Sequence, residues 1–65
     1  MTGKLTKEQR TILTLIKSAP TWVHESKASV RLVFDMLVAQ IAVTNTGMHK
    51  LAITEAGRQA LKQGD

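Results

Sequence analysis

The sequence predicts an α+β domain, mainly α, built from three helices and one β-hairpin. Three observations carry that prediction. Apolar residues recur at helical spacing after capping residues near Thr6, Ser26 and Thr54. Strict alternation flanks the stretch Thr46–His49. The chain has 65 residues, 43% of them apolar, which suffices for one small core and no more. Residues 1–65 therefore read as a single domain with its core over about 6–63.

The first helix is expected over 7–18. Thr6 and Gln9 form a capping box, and Glu8 sits in the positive first turn. Ile12, Leu15, Ile16 and Ala19 make the inward stripe; Lys7, Arg10, Thr14 and Lys17 face the other way. Pro20 ends the helix by excluding Ala19 from the α region. Pro20–Ser26 reads either as a single turn or as extended chain. In both cases Trp22 and Val23 are expected to cover the end of the core.

The second helix is expected over 27–40, capped by Ser26 or Ser29. Val30, Val33, Phe34, Leu37, Val38 and Ile41 form a wide apolar face, with Leu32, Met36 and Ala39 outside it. Eleven of the fourteen residues from Val30 to Val43 are apolar, so the helix needs cover on more than one side. A second copy of the chain, or a position in the middle of the domain, would supply it. The run is too short for a membrane span.

The hairpin follows over 41–54. Ile41, Val43 and Asn45 alternate with Ala42 and Thr44, and Leu51 and Ile53 alternate with Lys50, Ala52 and Thr54. Gly47 supplies the turn, with His49 near the tip. The last helix is expected over 55–63, capped by Thr54, with Ala56, Ala60 and Leu61 inward. Gly57 within it implies close approach of another element. Met1–Lys4 and Gly64–Asp65 are expected to fray.

Composition narrows the function. Net charge is +4, and all of it lies in residues 1–31, where six cations face Glu8 and Glu25. A surplus of that sign suits a polyanion. Two aromatic residues are too few for a single-strand stacking platform. The N-terminus lacks the apolar segment of a signal peptide, and the lack of cysteine fits a reducing, cytoplasmic setting. His24 and His49 form no metal-ligand pattern, and no glycine-rich phosphate loop or nucleophile–base motif is present. No enzyme activity, cofactor, metal or small-molecule substrate is expected.

The order helix, short segment, helix, hairpin, helix resembles a winged helix-turn-helix domain with a two-stranded wing. Residues Ser29 to Val43 are similar to the recognition helix and first wing strand of MarR-type bacterial regulators. Leu51-Ala52-Ile53-Thr54-Glu55-Ala56-Gly57-Arg58 resembles the segment that leaves the wing in such proteins. The chain departs from the family in two places. Pro20–Ala28 is too short for the helix that normally precedes the recognition helix, and Ile41 stands where the family has glycine.

The resemblance implies a small duplex-DNA-binding protein, a transcriptional regulator of bacterial or phage type. Lys27, Ser29 and Arg31 would lie on the exposed part of the recognition helix, Arg31 toward guanine, Ser29 toward a base edge or phosphate, Lys27 toward phosphate. His49 and Lys50 would reach backbone or minor groove from the wing. Lys4, Lys7, Arg10 and Lys17 would add phosphate contacts. The alternative is a winged-helix module that binds protein and not DNA, with Leu32 and Met36 as its exposed apolar patch. A homodimer through those two residues suits either role.

Overall fold

The computed structural model describes residues 5–63. Met1–Lys4 and Gly64–Asp65, and with them the fraying expected of the ends and the DNA contact expected of Lys4, lie outside the described residues. The chain runs α1 (Lys7–Ile16), β1 (Thr21–His24), α2 (Lys27–Phe34), β2 (Val38–Val43), β3 (Met48–Ile53) and α3 (Glu55–Gln63). The strands form one antiparallel sheet in the order β1-β3-β2. Leu13, Ile16, Val23, Leu32, Val38 and Leu51 make the core between that sheet and the helices. Each such side chain contributes about 1.5–3 kcal/mol by leaving water.

Helix α1 begins as its sequence requires, with the capping box of Thr6 and Gln9 closed in both directions. Its buried face is turned from the expected one. Leu13 and Ile16 are inside and Ile12 is half-buried, whereas Leu15 is exposed. The helix ends at Ile16, and Lys17–Ala19 bend into β1. Pro20 heads that strand, so the extended alternative for the middle segment is the one the chain adopts. Val23 is buried as expected. Trp22 is not: it pairs in register with Lys50, lines a shallow groove with Ile12 and Leu15 of α1, and is exposed.

Helix α2 stops six residues before the expected end. Met36 takes a left-handed conformation, with φ of 64°. Its N–H donates to the Val33 carbonyl at 3.0 Å, and the Leu37 N–H donates to the Leu32 carbonyl at 3.0 Å. This is a Schellman cap with methionine where glycine is usual. It is held from far along the chain: the Thr54 hydroxyl donates to the Met36 carbonyl at 2.8 Å, and the Thr54 N–H to the Leu37 carbonyl at 3.2 Å. The residues after the cap therefore form a strand. Val38 faces the core, and a β-bulge between Gln40 and Ala42 leaves Ile41 outside the ladder and exposed.

The hairpin is longer at its base than expected, and β1 adds a third strand on the far side of β3. Helix α3 matches its predicted span, and the Gly57 N–H donates to the Thr54 hydroxyl at 3.1 Å. A Cβ on Gly57 would collide with the Leu37 carbonyl and crowd Ile53, which is the close approach that glycine implied. Ala60 and Leu61 are half-buried, but Ala56 is exposed. Among the described residues no helix is long and apolar enough to cross a membrane.

Candidate functional site

Three residues assigned to exposed roles are interior. Leu32 is 0% exposed and belongs to the core, so it presents nothing to a partner. Ser29 and His49 are also 0% exposed and cannot touch DNA. The cause is geometric. Shortening α2 and turning it on the sheet brings the Ser29–Leu32 side inward, and His49 shares the inner face of β3 with Leu51 and Ile53.

Ser29 and His49 meet there. His49 Nε2 lies 2.9 Å from the Ser29 hydroxyl, and His49 Nδ1 lies 2.8 Å from Gln40 Oε1. Gln40 Oε1 only accepts, so Nδ1 donates to it; the Ser29 hydroxyl also lies 3.1 Å from the Ser26 carbonyl and 3.3 Å from the His24 carbonyl, to either of which it can donate. The Ser26 N–H donates to the same hydroxyl oxygen at 2.8 Å, closing the capping box of α2. The arrangement has the atoms of a nucleophile, a base and an orienting amide. Both Ser29 and His49 are sealed from solvent, and neither lines a groove. It is an interior tie that fixes α2 to β2 and β3, and among the described residues every buried side-chain nitrogen and oxygen is paired.

What α2 offers outward is a single stripe. Lys27, Val30, Arg31 and Phe34 recur at spacings of three and four, and all four are exposed. Phe34 is 80% exposed and Val30 51%. Met36, the remaining member of the expected apolar patch, follows at the corner and is 73% exposed. Arg31 Nε approaches Asp35 Oδ2 at 3.3 Å, one turn on, in a solvent-exposed pair. Of the DNA contacts expected, the structure brings together Lys27 and Arg31. Lys50 points from the opposite face of the sheet, beside Trp22. The turn before it, Thr44–Met48, carries no charge.

Helices α2 and α3 both pack on α1. Between them runs an open groove of about 1290 Å³, with Val30, Phe34, Leu37, Ala56 and Ala60 along its walls. Its charged members are Glu8 and Asp35 against Lys27 and Arg31, two of each sign, so the groove is neutral although the chain is +4.

The N-terminal end of α2 is charged against its own dipole. Lys27 is its first residue and no acid lies in the first turn, whereas the last turn carries Arg31, paired with the C-cap Asp35. A cation at a helix N-terminus costs about 0.3–1 kcal/mol at a surface. Sequence inspection named Lys27, Arg31 and Met36 but missed Phe34 as an outward residue, because a longer helix had enclosed it. No known protein family, no curated protein and no solved structure matches this chain.

Proposed function

We propose that the protein is a winged-helix domain that binds duplex DNA through the outward stripe of α2. The observation that carries this reading is the exposure of Lys27, Val30, Arg31 and Phe34 along one helix face. Topology supports it. The hairpin β2–β3 follows α2 and β1 extends the sheet, an order compatible with a winged helix in which the helix preceding the recognition helix is replaced by a short extended segment. Lys27 would neutralise phosphate. Arg31, released from Asp35, would make a bidentate contact with guanine, and Val30 and Phe34 would pack against thymine methyl groups. Lys7, Arg10 and Lys17 would add phosphate contacts from α1. The role that follows is transcriptional regulation in a bacterial or phage setting.

Fluorescence anisotropy with mixed-sequence duplexes at two salt concentrations tests it. Affinity is expected to fall with salt, with a slope of about −0.9 per phosphate contact. Lys27→Ala weakens all duplexes alike; Arg31→Ala costs about 1–3 kcal/mol on a preferred site only. No binding by the parent protein at low salt would overturn the reading. The 80% exposure of Phe34 favours a second one, a winged-helix module that docks on protein without DNA.

A further inference from the structure

We infer that a second copy of the chain docks on the α2 stripe and competes with DNA for it. The inference rests on α2 presenting the working surface and names a regulator of that site. The groove carries two charges of each sign, which matches a surface that also carries both. The stripe is such a surface, and it is complementary to itself. Lys27 and Asp35 mark its two ends, about 12 Å apart at 1.5 Å per residue.

Two α2 helices packed antiparallel about a two-fold axis near Arg31 set Lys27 of each copy beside Asp35 of the other. Each Asp35 then holds its own Arg31 and the second copy's Lys27. The two Arg31 side chains flank the axis, each held by its own Asp35. Phe34 of each copy lies over Ala28 and Val30 of the other, inside the groove. The same packing gives Lys27 a favourable setting that its own helix denies it: an antiparallel neighbour puts its negative end beside Lys27 and its positive end beside Asp35. A two-fold contact of this kind is closed and uses one patch twice. It covers Lys27 and Arg31, so the dimer cannot bind DNA through them.

A charge-swap series tests this by sedimentation equilibrium from micromolar to near-millimolar concentration. The parent chain self-associates to a dimer. Lys27→Asp and Asp35→Lys each weaken the dimer at least about tenfold, and the double variant restores it to within about threefold. Both substitutions place charge in the order α2 prefers, so the variants keep the fold, which circular dichroism verifies. A strictly monomeric parent, or a double variant no better than the singles, overturns the inference. Anisotropy on the same samples separates it from the DNA reading. Asp35→Lys, monomeric and more basic, binds duplex more tightly than the parent. Dimerisation with no DNA binding by any variant keeps the dimer and removes the DNA role. DNA binding by a protein monomeric at every concentration removes the dimer alone.

Discussion

Helices α2 and α3 are of similar length, both pack on α1, and both are opened by a hydroxyl cap, yet they carry opposite charges at their N-termini. Helix α3 has Glu55 in its first turn and Lys62 in its last, which is the stabilising order. Helix α2 begins on Lys27, and its last turn carries Arg31 paired with the C-cap Asp35. Their outer faces differ likewise. Helix α3 shows polar residues such as Arg58 and Gln59, and α2 shows Val30 and Phe34. One helix is arranged for its own stability. The other gives some stability up at its N-terminus and leaves an aromatic ring in water. The cost is local to α2, and there the account places the working surface.

The largest expected effect breaks α3 and leaves the surface of α2 unchanged. Gly57→Ala forces a methyl group into the Leu37 carbonyl, and about 3 kcal/mol of stability is lost, read from urea midpoints. For a domain of this size that loss is most of the total. Ser29→Ala comes next. It removes the hydroxyl shared by His49 and the Ser26 N–H, leaving buried polar atoms unpaired, and costs about 1–3 kcal/mol. DNA affinity of the folded fraction is unchanged, since Ser29 is interior. Loss of affinity without loss of stability would return Ser29 to the contact surface.

Met36→Gly acts in the opposite direction. Glycine takes the left-handed φ without strain, and stability rises by about 1 kcal/mol. The smallest effect is on the Arg31–Asp35 pair. Its exposed i,i+4 geometry makes Asp35→Asn worth only about 0.3–0.5 kcal/mol in urea titration, part of it returned by the helix dipole.

Sequence alone revealed the parts of the fold whose determinants are local. The Thr6–Gln9 capping box, the Thr54 cap, the Gly57 approach and the alternation of Leu51 with Ile53 each lie within a few residues. The end of α2 was hidden because its determinant is Thr54, eighteen residues from Met36. The apolar run Leu37–Val43 fits a helix and a strand equally well, and distant partners select the strand: the Thr54 tie at its start and the ladder with β3 along it. Strand β1 is four residues long, too short to show its period.

The candidate site was half legible. Lys27 and Arg31 follow from the helix and its cap. Phe34 emerged only once α2 was shortened and turned. His49 carried a readable signal that was not used: extending the alternation of Ile53 and Leu51 by one more step puts it on the inner face. Its partner Ser29 lies twenty residues away, and nothing in the sequence joins them.

If the outward stripe of α2 is the surface that meets DNA, backbone amide shifts will locate it during titration with a short mixed-sequence duplex at low salt. The protein should be dilute, so that the monomer dominates. The largest changes are expected at Lys27, Val30, Arg31 and Phe34, with Lys50 and the outer sheet face unmoved. Changes centred on Trp22 and Lys50, or none anywhere, would contradict that reading.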